Sequence, residues 1–211
     1  MNSSHVSGTT ATLTITEGAS AADTAVGGFT VALATNAAGV RDTAANPSSF
    51  AATAPADKAA PVVLSVGSTN AGGGTAGKME AGDQLAVAFS EPLLASSLPG
   101  TTTVSETDPT GSGNDTLSIA GITSSARDTG SDGYVAKNNA TVSFTPSTVA
   151  LSGGTVTVTV AGSCGANCGD LGSGGASVHG ALSFAPATGI TDAAGNAATG
   201  VVTTAASFQL F

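Results

Sequence analysis

Apolar residues alternate with hydroxyl-bearing and other polar residues in short runs along the whole chain. Runs of this kind, rich in Val and Thr and bounded by Gly, Asn, Asp, Ser and Pro, are typical of β-strands. They predict strands over residues 11–16, 29–34, 62–67, 84–90, 102–106, 116–122, 141–145, 155–161 and 201–208. Two stretches, 19–25 and 91–98, compete as helix, but adjacent glycines and prolines limit each to brief helical turns. The pattern therefore predicts an all-β chain.

The pattern also divides the chain, because residues 54–61 (APADKAAP) have the composition of a linker. Residues 61–211 carry seven of the predicted strands, the number that an immunoglobulin-like sandwich needs. Residues 1–60 carry two of them, 11–16 and 29–34, and at most a third near Phe50, which is too few to enclose a core. We therefore expect a complete immunoglobulin-like antiparallel β-sandwich over 57–211, preceded by a partial β unit of the same kind over 1–56. The alternative is one larger sandwich made of all 211 residues.

The partial unit has an apolar face that needs cover from the second unit, from another chain or from residues outside this sequence. This face consists of Leu13, Ile15, Phe29, Val31, Leu33 and Phe50. Residues 2–56 would then begin inside such a unit, so we interpret Met1 as an initiator methionine added to a fragment of a longer protein.

The end of the chain repeats the order of its beginning. The segments TLTIT, FTVALA and GVRDTAAN return after residue 140 as VSFT, TVTVTVA and GITDAAGN. Both copies place an Asp three positions after a Gly and an Asn four positions after that Asp, which gives the pairs Asp42 with Asn46 and Asp192 with Asn196. Such self-similarity is typical of tandem repeat proteins.

The segments DKAAPVVLSV, GKMEAGDQLAVAFSEPL, VSFTPS and GITDAAGN resemble the bacterial Ig-like repeats that occur in tandem on large surface and S-layer-associated proteins. The resemblance covers residues 54–211 as a full unit and 8–53 as a partial one, and the Cys-bearing insert departs from its pattern. It implies an extracellular β-sandwich that acts as a spacer or an adhesive module. It also implies neighbouring repeats of the same chain as partners, and no catalytic residues.

Composition excludes several classes of function. The net charge of −9 repels phosphate backbones, so nucleic acid is not an expected partner. No run approaches the 18 or so apolar residues of a membrane span, so membrane insertion is not expected either, and the N-terminus lacks the order of a signal peptide. Only 9% of residues are charged, so the surface is largely hydroxyl groups and backbone.

The Asp and Asn pairs of the repeated segment have two interpretations. Both residue types stabilise turns by hydrogen bonding to the local backbone. The alternative is calcium, bound at a domain junction by oxygen donors from Asp42, Asp57, Asp192 and Asn196. No loop has the order of an EF-hand.

Two further acidic segments are better explained as flexible connections than as metal sites. TGSGNDTL, from Thr110, resembles one calcium-binding nonapeptide of a repeats-in-toxin protein, but a single copy cannot stack. RDTGSDG supplies Asp128 and Asp132.

Cys164 and Cys168 form a C-x-x-x-C motif inside a Gly-rich insert. With His179 and Asp170 they could bind zinc. An even number of Cys in an acidic, secreted chain favours a local disulfide between them.

Catalysis is not expected. Neither His5 nor His179 belongs to a recognisable nucleophile motif. Glu80, Asp83 and Glu91 could supply carboxylates for glycoside chemistry, but the chain has no Trp and one Tyr to stack on a sugar. The alternating Thr residues are those of the solvent face of a sandwich rather than of an ice-binding surface.

Two functions remain: a structural spacer of a bacterial surface or secreted protein, and an adhesin module. The adhesin would bind a host protein or glycan through three long connections, 99–115, 126–139 and 162–188.

Overall fold

A computed structural model describes residues 3–15, 23–71, 73–109, 113–163, 165–171 and 179–211. The chain is all-β, with 39% of its residues in strands and 2% in helix, as the sequence predicted. Among the described residues, the helical part is one 3-10 turn, Ala95–Ser97, inside one of the two stretches where a brief helical turn was expected. Residues 19–22 of the other stretch lie outside the described residues.

Thirteen strands are present in the described part of the chain, four of them before residue 60. They are β1 (Ser3–Ser7), β2 (Thr10–Thr14), β3 (Val31–Leu33), β4 (Phe50–Thr53), β5 (Val63–Thr69), β6 (Gln84–Phe89), β7 (Thr101–Thr107), β8 (Thr116–Ile119), β9 (Arg127–Asp128), β10 (Thr141–Ser152), β11 (Thr155–Thr159), β12 (Ser183–Phe184) and β13 (Val202–Thr203).

Seven strands form one antiparallel sheet in the order β5-β6-β11-β10-β7-β8-β9. Successive side chains of a strand point to opposite faces, so an alternating sequence buries every second residue. In β6, Leu85, Val87 and Phe89 are buried, whereas the residues between them are half-buried. Because the sheet is curled, the buried faces of its strands surround a common interior.

The two-stranded sheet β12–β13 lies along both edges of the curled sheet. β12 contacts β9, and β13 contacts β5. Near β9, Arg127 Nε donates to the carbonyl oxygen of Ser183 at 3.3 Å. Beside β5, the amide of Val63 donates to the carbonyl oxygen of Thr199 at 3.1 Å. The segment 183–203 therefore covers the edges that the sheet would otherwise expose.

The hydrophobic core belongs entirely to residues 61–211, which we call the body. Every residue of the buried core is numbered 63 or above. Val is its most frequent residue, and Phe144 and Phe184 are 1% and 0% exposed. Leu210 and Phe211 are also part of this core. The body therefore has its own interior.

The described residues of 3–53 contribute nothing to that interior. Among their described residues, the strands form two separate two-stranded sheets, β1–β2 and β3–β4. Phe29, Val40 and Phe50 are 45%, 46% and 49% exposed. The body therefore does not cover the exposed apolar residues of this face. Of the sources of cover that the sequence left open, another chain and residues outside this sequence remain.

Removing residues 1–56 is expected to leave residues 57–211 folded, because no residue of the core is lost. We expect the β-type circular dichroism spectrum to persist and the melting temperature to stay within about 4 °C, the shift that about 1 kcal/mol causes in a domain of this size. Full-length protein measured under the same conditions is the control. Aggregation or a loss of cooperative unfolding would instead favour one larger sandwich.

Candidate functional site

Two turns, one near each end of the chain, have the same hydrogen bonds. In the first, Asp42 N donates to Asn46 O at 3.1 Å, and Asn46 N and Nδ2 each donate to the carboxylate of Asp42 at 2.9 Å. In the second, Asp192 N donates to Asn196 O at 3.2 Å, and Asn196 N and Nδ2 donate to the carboxylate of Asp192 at 2.8 and 2.7 Å. The repeated Asp and Asn spacing thus corresponds to one local structure in both places.

The backbones of the two turns also match, whereas their burial does not. The residue three positions after each Asp has a positive φ, 66° at Ala45 and 87° at Gly195. The apolar residue two positions before the Asp is 46% exposed in the first turn, at Val40, and 0% exposed in the second, at Ile190. Only the second turn therefore packs on a core.

Three carboxylates from distant parts of the sequence meet beside the second turn: Asp57, Glu91 and Asp192, which we call the linker cluster. One oxygen of each lies within 4.8 Å of the other two. Asp57 comes from the connection before β5, Glu91 follows β6, and Asp192 belongs to the turn. Asp192 and Glu91 are 2% and 5% exposed, and Asp57 is half-buried.

Segment 23–27 lies against the linker cluster. The hydroxyl of Thr24 donates to Glu91 Oε1 and lies 2.7 Å from the hydroxyl oxygen of Ser90. Ala25, Val26 and Gly27 line the same surface pocket as the three carboxylates. Residues before the linker therefore contact the body at this point.

The carboxylates of the linker cluster differ in how easily they ionise. Burial raises the pKa of Glu91, the hydrogen bond from Thr24 opposes this, and the charges of the neighbouring aspartates add to it. Burial also opposes ionisation of Asp192, but hydrogen bonds from Asn196 and from the turn amides outweigh it and lower the pKa of Asp192. Of these two carboxylates, Glu91 is therefore the one whose negative charge is less stabilised.

The arrangement can be compared with the calcium site that the sequence predicted at Asp42, Asp57, Asp192 and Asn196. Asp57 and Asp192 come together, but Asp42 belongs to the other turn. Asn196 donates its amide to Asp192. Calcium at Asp57 and Asp192 stays a prediction.

Sequence reasoning missed Glu91 as a third member of this set and considered it only for glycoside chemistry. The available signal was its position just after the alternating strand that ends in Phe89.

The other two carboxylates considered for glycoside chemistry, Glu80 and Asp83, hold the turn before β6. Asp83 is 0% exposed and accepts the amides of Ala71 at 2.8 Å and of Glu80 at 2.6 Å. Glu80 accepts the amide of Thr75 at 2.7 Å and pairs with Lys78 at 3.2 Å, and these contacts lower its pKa. Both carboxylates therefore have structural partners.

Two predictions of the sequence fall on residues that the structure does not describe. Cys164 lies outside the described residues, so its disulfide with Cys168 and the zinc alternative stay predictions. Residues 110–112 of the nonapeptide-like segment also lie outside them. His179 of the same insert is buried, 4% exposed.

The outer face of the sheet carries a row of hydroxyl pairs between β7 and β10. The pairs are Thr107 with Thr141 at 2.8 Å, Ser105 with Ser143 at 2.9 Å and Thr103 with Thr145 at 3.3 Å. These hydroxyls satisfy one another across neighbouring strands. The sheet that carries them is curled rather than flat.

Comparison of the chain with protein-family models, with curated proteins and with solved structures finds no match. No helix in the described part of the chain is long and apolar enough to cross a membrane.

Proposed function

We propose that the chain is a non-catalytic, immunoglobulin-like repeat module of a bacterial cell-surface or secreted protein, in which it acts as a structural spacer. The pair of matching turns at Asp42 and Asp192 carries this proposal. One turn packs on a core, whereas the other is exposed together with the apolar residues near it. Two copies of one local structure, of which one has a core, are expected where a sequence spans parts of successive units in a tandem array.

Neighbouring repeats are then the natural partners of this chain. A preceding unit would cover Phe29, Val40 and Phe50, which the body leaves exposed. The body itself supports an immunoglobulin-like sandwich, because the curled sheet and the β12–β13 sheet bury apolar side chains in one core. The surface of hydroxyl pairs and the net charge of −9 agree with an extracellular role without nucleic acid.

Mechanical unfolding of single molecules tests the spacer role. A chain tethered at both ends is expected to show one force peak, because the body has one continuous core. The gain in contour length should be about 50 nm, which about 150 residues give at about 3.6 Å each. The truncated chain 57–211 is the matched control and should give the same peak. Extension without a peak would overturn the spacer role.

A second role is favoured by contacts among the three long connections. Gly133 N donates to Asp115 Oδ2 at 2.9 Å, and Ala136 N donates to Asn167 O at 2.8 Å. The first connection, 99–115, contains strand β7, which the sequence also predicted, so residues 108–115 are the part of it that joins β7 to β8. Described residues of the three segments therefore lie next to one another, and loops held on a rigid scaffold are where recognition is commonly placed. In this role the module is an adhesin for a host protein or glycan.

Screening the chain on glycan and host-protein arrays distinguishes the two roles. A spacer is expected to bind nothing on either array. Binding that disappears when residues 163–171 are replaced by a short Gly-Ser link, while the melting transition persists, would favour the adhesin.

A further inference from the structure

Three aspartates outside the linker cluster converge where the β7–β8 hairpin ends: Asp108, Asp115 and Asp132, which we call the loop cluster. One oxygen of each lies within 4.8 Å of the other two. Asp108 and Asp115 are 1% and 0% exposed. Asp132 is exposed and leaves a path from the cluster to solvent.

The pairing of β7 with β8 brings the first two aspartates together. Thr107, the last residue of β7, is opposite Thr116, the first residue of β8. Asp108 and Asp115 are therefore the first residues beyond the paired strands, on the side of the turn. Both are buried, as are Glu106 and Leu117, which lie two positions further into the hairpin. The alternation of the strands therefore turns both carboxylates toward the inner face.

Backbone hydrogen bonds hold the loop that supplies Asp132 against this hairpin. Gly133 N and Val135 N donate to Asp115 Oδ2 at 2.9 and 3.0 Å. Asp115 N donates to Ser131 O at 2.8 Å. Asp132 thus lies between residues that are hydrogen-bonded to Asp115, which fixes the backbone on both sides of it.

One buried carboxylate oxygen of the cluster has no hydrogen-bond partner among the described residues. Asp115 Oδ1 is buried and accepts no hydrogen bond, although Oδ2 of the same carboxylate accepts two. Both carboxylate oxygens of Glu106 are likewise buried without a partner, on the same inner face two residues before Asp108. A buried carboxylate oxygen without a partner is costly and calls for a ligand that supplies positive charge.

We propose that the loop cluster is a calcium site, with Asp108, Asp115 and Asp132 as its protein ligands. Oxygens that share one Ca²⁺ lie 2.3–2.6 Å from it, so two of them are at most about 5 Å apart, as all three pairs here are. Ca²⁺ also accepts an irregular set of oxygens from separate loops, whereas Mg²⁺ requires near-octahedral geometry at about 2.1 Å. The site is independent of the spacer role.

The Cys-bearing insert, which is the third long connection, packs closely on the loop that supplies Asp132. A side-chain carbon added at Gly169 would overlap the carbonyl oxygen of Gly133, and one added at Gly180 would overlap that of Gly130. The insert therefore lies directly on the loop that supplies Asp132. A calcium ion in the loop cluster would fix the hairpin and the loop together and so order the surface on which the insert packs.

Terbium luminescence tests the site, because Tyr134 is the one Tyr of a chain that has no Trp. Tyr134 lies two residues from Asp132, and the residues on either side of it donate to Asp115. Tb³⁺ in the loop cluster should therefore emit when Tyr134 is excited, and Ca²⁺ should displace it. In parallel, the melting temperature is measured in chelator and in millimolar CaCl₂ or MgCl₂.

Two variants separate the loop cluster from the linker cluster. Asp132→Asn, at an exposed position that should not disturb folding, is expected to weaken at least tenfold the Tb³⁺ binding that Tyr134 reports and to reduce the calcium-dependent rise in melting temperature. Asp57→Asn, in the linker cluster, is the matched control and should change the Tb³⁺ affinity that Tyr134 reports less than twofold, because Tyr134 lies beside the loop cluster. A loss confined to Asp132→Asn, in either measurement, supports the site. The site is overturned if Asp132→Asn and wild type behave alike in both the Tb³⁺ titration and the melting experiment. It is also overturned if wild type shows neither Tb³⁺ emission nor a calcium-dependent rise in melting temperature.

Discussion

Replacing Phe184 with alanine is expected to lower the free energy of unfolding by about 3–5 kcal/mol. Phe184 is 0% exposed and belongs to β12, which packs beside β9. Removing a buried ring loses its transfer free energy and leaves a cavity that the surrounding side chains fill only in part. Urea denaturation followed by circular dichroism measures the change. Because 5–15 kcal/mol is the usual total stability of a domain, Phe184→Leu provides a milder variant if the alanine protein is largely unfolded.

Phe50→Ala is the matched control for that experiment. The side chain of Phe50 is 49% exposed and lies outside the core. Surface substitutions usually change stability by less than about 0.5 kcal/mol. Equal losses at positions 50 and 184 would contradict a core confined to the body.

Replacing Glu106 with glutamine is expected to stabilise the calcium-free protein by about 3 kcal/mol at pH 7 and by less than about 1 kcal/mol at pH 5. Burial of the carboxyl, followed by the charges of Asp115 and Asp83, raises the pKa of Glu106 from 4.5 to about 8. The neutral glutamine avoids the cost of an ionised group with no hydrogen-bond partner. Denaturant titrations between pH 5 and pH 9, with a chelator present, measure the effect.

The sign of this effect follows from the order of the two pKa values. Because the pKa of Glu106 is higher in the folded protein than in the unfolded chain, ionisation costs nothing below about pH 4.5 and destabilises the fold increasingly up to about pH 8. Wild type should therefore lose stability across this window, and Glu106→Gln should lose less. Glu80→Gln is the control, because the amide of Thr75 lowers the pKa of Glu80 instead. Parallel curves for wild type and Glu106→Gln would contradict the prediction.

Strands with strict alternation were predicted closely, because their pattern is local. The sequence predicted 84–90, 102–106 and 155–161, and the structure has Gln84–Phe89, Thr101–Thr107 and Thr155–Thr159. The sequence predicted a strand over 141–145, which ends just before Pro146. The strand instead continues to Ser152, because an irregularity between Phe144 and Ser147 accommodates the proline.

Two-residue strands were missed because their own sequence carries too little pattern. β9 pairs with β8, β12 pairs with β13, and the contact between β9 and β12 is set only when the sheet has curled. The predicted strand 201–208 shrinks to Val202–Thr203 for the same reason, since its partner β12 has only two residues. Tertiary contacts, rather than local propensity, decide these elements.

The carboxylate clusters were only partly predictable. The Asp and Asn residues near the linker and in the repeated turn suggested Asp57 and Asp192 as calcium ligands. Their closeness to Glu91 depends on how β6 and the second turn pack. For the loop cluster, the strand register that brings Asp108 near Asp115 could not be read from single runs of sequence. Asp132 was noticed as an acidic residue of a Gly-rich segment, without the partners that give it a role.

The position of β12 and β13 beside the edge strands bears on how these molecules associate with one another. Free edge strands expose amide and carbonyl groups that can pair with a strand of another molecule, which is a common route to aggregation. In the body, β5 and β9 have β13 and β12 beside them. The small sheets β1–β2 and β3–β4 lack such cover among the described strands and carry exposed apolar residues such as Val6 and Ile15. Self-association in concentrated solution would therefore begin in residues 3–53, and the shortened chain 57–211 would be the more soluble of the two.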